Sequence, residues 1–291
     1  MPEINVGPAA IARAVQLLQA GKLVGLPTET VYGLAADANN PEAVAKIFAA
    51  KGRPADHPLI VHLGADDLLP RYAQDIPDDA WALAEAFWPG PLTLILKKAA
   101  GVPDAVTGGQ DTVGIRVPGH PMALELLRAF AAVHLDGGGV AAPSANKFGR
   151  ISPTTAAHVA AELGDAVPLI LDGGDCMVGI ESTIVDLSRG TPVILRPGAI
   201  TVAQIELVLG KPVATVSAAQ SAMGNAPRVS GSLASHYAPR TPLTVLSLDA
   251  IETKLATGRC AVIVRDNTAL TETLRHFPDV TVLADQPASY A

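Results

Sequence analysis

Cysteine is scarce: Cys176 and Cys260 are the only two in 291 residues, and neither has partners at metal-ligand or disulfide-framework spacing. The chain therefore reads as one kept in a reducing, cytoplasmic setting. Aromatic residues make up 4% of it and charged residues 17%. So few aromatics leave little for stacking bases. The formal net charge of −7 argues against a broad basic nucleic-acid surface, although the field inside a cleft depends on its own walls. No apolar run reaches the roughly twenty residues that span a bilayer, and the opening residues lack a signal peptide's basic start and apolar core. A GxxxxGK[ST] loop, a GxGxxG after the first strand, an HExxH pair and a GxSxG elbow are all missing. The seven histidines show no zinc spacing, so no metal site built from protein ligands is expected. Phosphates, if bound, must be held by scattered Arg, Lys, Ser and Thr.

Hydrophobic residues make up 49% of the chain, and its length suits about two domains of α/β type. The informative stretch is 23–62. Leu23–Leu26 is a short apolar run ended by Pro27, as in a buried strand, and Thr28, Glu29 and Thr30 form a turn rich in hydroxyls. Asn40 and Pro41 predict a helix start, Val44, Ile47, Phe48 and Lys51 recur at helical spacing, and Gly52 ends the element. Lys51 and Arg53 thus meet at a helix exit beside a second apolar strand, 59–63, which carries His62. Two cations beside a hydroxyl-bearing loop make a site for an anion, with phosphate foremost. Both are expected on a cleft rim.

Further helices are predicted over 8–20, 79–88, 121–132 and 154–163. Thr201 and Gln204 form a capping box for another, to Leu209. Strands are predicted over 92–96, 112–117, 169–172, 181–187 and 193–196. In 112–117 the two-residue period puts Thr112, Gly114 and Arg116 on one face, a hydroxyl and a guanidinium with only a glycine between them. Ser182 stands at the head of a strand. Arg196 precedes Pro197 and is held extended. Ser144, Asn146 and Ser152 supply short polar groups beside a helix start. Residues 211–240 are rich in Ser, Ala, Gly and Pro without periodicity, as a linker is. Strand, helix, strand, helix, strand follow over 243–248, 249–257, 261–264, 268–276 and 280–283. That pattern gives a small Rossmann-like α/β domain over 241–291, short or incomplete.

PTETVYGL, KGRPxxHPLIVH, TVGIRVP, PSANxxGxxSPT, GIESTIVD and ILRPG occur in that order over residues 23–198, and SGSLASHYAPRTPL follows. Together they resemble the YrdC-like threonylcarbamoyl-AMP synthase family, in its two-domain form. The resemblance implies an α/β catalytic domain over 1–210, with a twisted mixed sheet and helices around a concave cavity. It implies binding of ATP with Mg²⁺, L-threonine and bicarbonate, and release of threonylcarbamoyl-adenylate and pyrophosphate. The product would pass to proteins that transfer the threonylcarbamoyl group to tRNA, with weak direct RNA contact at most and no membrane. By matching motif, Thr30, His62, Arg116 and Ser182 would hold threonine. Arg53, His57, Thr112, Ser144, Asn146, Ser152 and Arg196 would hold the nucleotide, and Lys51 and Arg53 would serve catalysis. His236 and Tyr237 would close over the site from a linker, 211–240. Two rivals stand beside this reading: another carbamoyl-adenylate-forming enzyme, and a non-catalytic RNA-binding module of the same fold.

Overall fold

The computed structural model describes residues 2–134, 138–215 and 227–231, the strands 260–264 and 280–284, and single residues at 244, 246 and 250. The chain forms two compact units, Met1–Ala238 and Pro239–Ala291. The first begins with β1 (Glu3–Asn5), α1 (Pro8–Gln19), β2 (Val24–Leu26), β3 (Gly33–Asp37), α2 (Pro41–Lys51) and β4 (Ile60–His62). It continues through α3 (Leu69–Tyr72), α4 (Asp78–Phe87), β5 (Leu92–Lys97), α5 (Asp104–Thr107), β6 (Thr112–Arg116), α6 (Pro121–Val133) and β7 (Val140–Ala141). It ends with α7 (Ala156–Leu163), β8 (Leu169–Leu171), β9 (Thr183–Asp186), β10 (Val193–Arg196), α8 (Val202–Leu209) and β11 (Ala214–Thr215).

The eleven strands form one mixed sheet in the order β1-β8-β2-β3-β7-β4-β6-β5-β9-β10-β11. Local signals explain the helices around it. Asn40 Oδ1 accepts from the Glu42 and Ala43 amides to start α2, and Gly52, with φ of 63°, closes it in the left-handed conformation that favours glycine. The capping box of Thr201 and Gln204 starts α8 as expected.

Strand β3 was not expected, since 27–39 reads as a connection. Its first four residues are small or apolar, Asp37 closes it, and all five are buried, so no polar alternation marks it. It pairs antiparallel with β2, which makes Pro27–Tyr32 a hairpin loop rather than a link to a helix.

Alternation sorts the sheet's two faces. Leu34, Ala36, Val61, Leu94, Ile115, Ile170 and Val185 point into the larger core, against Val44 and Ile47 of α2, Leu83 of α4 and Val159 of α7. On the opposite face Val24, Leu26, Ala35, Val140, Leu169 and Leu171 pack under Leu18 of α1 and Leu126 and Phe130 of α6. Register carries that second face onward. Val61 lies opposite both Ala141 and Ile115, so His62, Gly114 and Arg116 share the face of Val140. Pairing of β5 with β6 and β9 adds Thr93, Ile95 and Ile184. Here residues 227–231 lie on the sheet, Val229 packing with Ile95, Ile184 and Leu195.

In the second unit β12 (Cys260–Val264) pairs parallel with β13 (Val280–Ala284), within a residue of the expected strands. Apart from Thr244, Leu246 and Ala250, the strand expected at 243–248 and the helices at 249–257 and 268–276 lie outside the described residues. Among the described residues no helix is long and apolar enough to cross a membrane.

Candidate active site

A cleft opens on the polar end of that face. The β2–β3 hairpin loop supplies Thr28 and Thr30 to its wall, and β4 and β6 supply His62 and Arg116. Ser144, Glu181, Ser182, Arg196, Arg53 and Ser230 complete the polar lining.

Arg116 is buried and fully engaged. Its Nε donates to the Gly90 carbonyl at 3.1 Å and one terminal nitrogen to Thr30 Oγ1 at 2.9 Å. Its other terminal nitrogen lies 2.7 Å from Glu29 Oε1. This contact is an ion pair with the Glu29 carboxylate. Burial lowers the Arg116 pKa, and Glu29 opposes the shift. His62 Nδ1 lies 3.1 Å from the Ile60 carbonyl, which makes it the protonated nitrogen and leaves Nε2 bare. Burial, then the Arg116 charge, pushes the His62 pKa down to about 3, so the ring stays neutral.

Arg196 links the two sides of the cleft. Its Nε donates to the Ser182 carbonyl at 3.0 Å, and NH2 donates to Ser182 Oγ at 3.1 Å. NH1 pairs with Glu181 and donates to the Ser230 carbonyl at 2.7 Å. Glu181 also accepts from Ser152 Oγ at 2.9 Å. This closeness depends on Gly198, where a Cβ would sit 2.4 Å from the Thr183 amide nitrogen. Arg53 donates to the Pro58 carbonyl and to Ser230 Oγ, at 3.0 and 3.1 Å. Burial pulls its pKa down to about 10, against the opposing pull of Glu181.

Lys51 departs from expectation. It is 3% exposed and donates to the carbonyls of Ser144 and Asn146, at 2.5 and 2.6 Å. The 144–150 loop covers the helix end, with the Phe148 amide bonded to the Lys51 carbonyl and the Lys147 ammonium to Ala50. Lys51 is therefore a buried clamp behind the cleft, not a residue of its rim. Burial, reinforced by Arg53, lowers its pKa to about 7.

Of the other expected residues, Asn146 is buried just behind Ser144. Its amide donates to the Lys147 and Arg150 carbonyls, while Oδ1 has no hydrogen-bond partner among the described residues. His57 stands edge-on to Phe148, ring centroids 5.5 Å apart, and burial lowers its pKa. Thr112 shares the sheet face of Arg116 but lines a side cavity with Gly114, beneath Arg228, Val229 and Ser230. The structure thus brings Thr30, His62, Arg116, Ser182, Arg53, Ser144 and Arg196 to one cleft. It sets Lys51, Asn146, Ser152, His57 and Thr112 around it. His236 and Tyr237 lie outside the described residues. Sequence reasoning missed Glu29, Glu181 and Ser230, which pair with or touch the arginines.

Two buried strand arginines, Arg116 and Arg196, with the half-buried Arg53 beside them, each held by carboxylate or hydroxyl oxygen, define an anion-binding α/β protein. A family model described as "Telomere recombination" (Sua5, YciO and YrdC) matches residues 16–198, and one described as "Threonylcarbamoyl-AMP synthase, C-terminal domain" matches residues 200–289. The chain is 44% identical to the threonylcarbamoyl-AMP synthase of Pyrococcus abyssi over 233 residues, 80% of this chain and 66% of that one. It is 45% identical to the one of Bacillus subtilis over 244 residues, 84% of this chain and 68% of that one. In structure it is similar to P. abyssi Sua5 complexed with L-threonine. The TM-score is 0.81 and the identity 36%, over 100% of this chain and 85% of that one. The chain belongs to the threonylcarbamoyl-AMP synthase family, and the resemblance carried by its motifs is borne out. It spans about two thirds of the length of these two relatives.

Proposed function

We propose that this chain makes threonylcarbamoyl-adenylate and pyrophosphate from L-threonine, bicarbonate or CO₂, and ATP, as a nucleotidyltransferase. The observation that carries the reading is the pair of subsites joined through Arg196. On one side Thr30, His62, Arg116 and Ser182 meet the cleft. On the other stand Arg53, Ser144 and Glu181, with Ser230 between the two arginines. A solved relative holding L-threonine supports the first subsite as the amino-acid pocket.

Arg116 would take the threonine carboxylate, exchanging part of its pairing with Glu29 for the ligand. The bare His62 Nε2 accepts a hydrogen bond and carries no charge. The threonine amine, once deprotonated, adds to CO₂ to give a carbamate and releases one proton. A carbamate oxygen then attacks the α-phosphorus of ATP, and pyrophosphate leaves with the electrons of the broken P–O bond. No covalent enzyme intermediate is needed. The protein's part is positioning and charge neutralisation by Arg53, Arg196 and, behind them, Lys51. Arg53 Nε and Asn146 Oδ1, buried and without hydrogen-bond partners among the described residues, are groups that nucleotide or its water can satisfy. His57, Thr112 and Ser152 would support the nucleotide from the second layer, and His236 and Tyr237 would close over it.

Mg²⁺ suits this donor set, because it takes one or two carboxylates together with phosphate oxygens. Among the described residues lining the cleft, Glu181 is the one carboxylate, and it would have to exchange part of its pairing with Arg196 and Ser152 to meet the ion. Bound there, the ion would neutralise triphosphate charge. The product would go to proteins that transfer the threonylcarbamoyl group to tRNA.

The test is pyrophosphate release from ATP, assayed with and without threonine and bicarbonate. Release that needs all three supports the proposal. Release indifferent to threonine would point to a different carbamoyl-adenylate former. No turnover with salt-sensitive RNA binding would point to a binding module.

A further inference from the structure

We propose that Thr93 is a positioning residue, whose buried hydroxyl forces Ser182 to aim its proton into the cleft, so that this subsite takes an anionic oxygen and disfavours a neutral amide. The inference rests on the reading of the Ser182 side as the amino-acid pocket. Thr93 lies on β5, opposite Ile184 of β9, on the sheet face that carries Arg116. It is wholly buried and does not line the cleft. Its methyl group lies over Gly114, where an added Cβ would come 3.6 Å from it. Its Oγ1 is 2.8 Å from Ser182 Oγ, its one hydrogen-bond partner among the described residues.

Each hydroxyl has one proton and two lone pairs. Arg196 is a donor only, so its 3.1 Å contact uses one Ser182 lone pair. Two arrangements remain for the Thr93–Ser182 bond. If Ser182 donates, the Thr93 proton is left with no acceptor in a dry interior, a cost of the kind folded proteins avoid. If Thr93 donates, both Ser182 lone pairs are filled, by Arg196 and by Thr93. The Ser182 proton then has one open direction, the cleft that Ser182 lines. The second arrangement leaves the unsatisfied proton where solvent or ligand can accept it, and is the stable one. Ser182 therefore meets its ligand as an obligate donor. A carboxylate oxygen accepts that bond. The NH₂ of a carboxamide placed there would oppose donor to donor.

The experiment titrates L-threonine, L-threoninamide and ATP separately into the full chain by calorimetry, for wild type, Thr93→Val and Thr93→Ser. Thr93→Val should weaken threonine binding about tenfold and ATP binding less than about twofold, with the melting temperature held. It should also narrow the preference for threonine over threoninamide, and Thr93→Ser should restore both. Should Thr93→Val melt low, Thr93→Ala adds no bulk and is read in its place. Unchanged threonine affinity in these variants, with wild type binding normally, would overturn the role of Thr93. Equal loss for threonine and ATP would overturn it in favour of a structural role. Failure of wild type to bind threonine at all would instead overturn the reading of the pocket.

Discussion

One face of one sheet carries two different environments. Toward β8, β2 and β3 it presents Val24, Ala35, Val140 and Leu169, roofed by α1 and α6. Toward β4, β6, β5 and β9 the same face presents His62, Arg116, Thr93 and Ile184. Both ends are built from strands with the same two-residue alternation, and both are buried. At the covered end, burial is satisfied by apolar contact. At the open end, every buried charge must find an oxygen, and the carboxylates of Glu29 and Glu181 provide it. Burial by itself does not mark a core. What distinguishes the active end is that its interior is polar and paired, which costs stability and can be exchanged for a ligand.

The comparison can be broken most forcefully at the covered end. Phe130→Ala removes a fully buried ring from α6 and should cost about 3–5 kcal/mol, read as a lower denaturant midpoint. Ligand affinities of the folded fraction should stay as they are.

At the open end Arg196→Ala should cost about 2–4 kcal/mol, because it leaves Glu181 as a poorly solvated charge without its cation. Unlike the core change, it should also cut turnover by about a hundredfold or more. Adding Glu181→Gln should return much of the stability and none of the turnover. If the double variant stays as unstable as Arg196→Ala, the pair is not the source. Arg116→Ala should behave in the same way toward Glu29, and should weaken threonine binding more than ATP binding.

A smaller effect separates the two ends by pH. The folded pKa of Lys51, about 7, lies below its ordinary 10.5. Between those values the unfolded chain holds a proton there that the folded chain has released. Its contribution to stability therefore rises with pH from about 7 to about 10.5, and is lowest below 7. Nucleotide affinity should run the opposite way, falling above pH 7 as the ammonium is lost. Lys51→Met should flatten both profiles. A nucleotide profile unchanged in that variant would remove Lys51 from the binding argument.

Much of this was legible beforehand, and the failures have physical causes. The helix of Asn40 to Gly52 and the capping box of Thr201 are local devices, so sequence showed them. The alternation in 112–116 placed Arg116 on the right face. Strand β3 escaped because a strand buried on both faces, with Gly, Leu and Ala before its final Asp37, has no polar period. Lys51 was expected on the cleft rim because a helix exit beside a strand end usually opens to a cleft. Its burial comes from the loop at 144–150, about a hundred positions on. Glu29, Glu181 and Thr93 could not be singled out, because what matters is which arginine or serine each one meets, and that is decided by strand order.

The smallest expected effect tests segment 227–231. Gln110 holds it at both ends of its amide, accepting from the Arg228 nitrogen at 2.7 Å and donating to the Arg228 carbonyl at 3.1 Å. These contacts are exposed, so Gln110→Ala should cost at most about 1 kcal/mol of global stability. Protease cleavage at Arg228 should nonetheless become faster, and unchanged cleavage would show that the Arg228 side chain, on Asp56 and the Gly108 carbonyl, holds the segment with Val229 and Ser230.

The period of two along β6 also makes the active face sensitive to chain length in a particular way. Ile115 belongs to the larger core and Arg116 to the cleft, and they are neighbours in sequence. Deleting one residue inside 112–116 would exchange those destinations, sending a guanidinium into the core and an isoleucine into the cleft. The 98–111 connection, with its short α5, has no such parity to keep. Length variation is therefore affordable between the strands and not within them, and libraries meant to alter what the cleft accepts should vary loops in length but strands only in side chain.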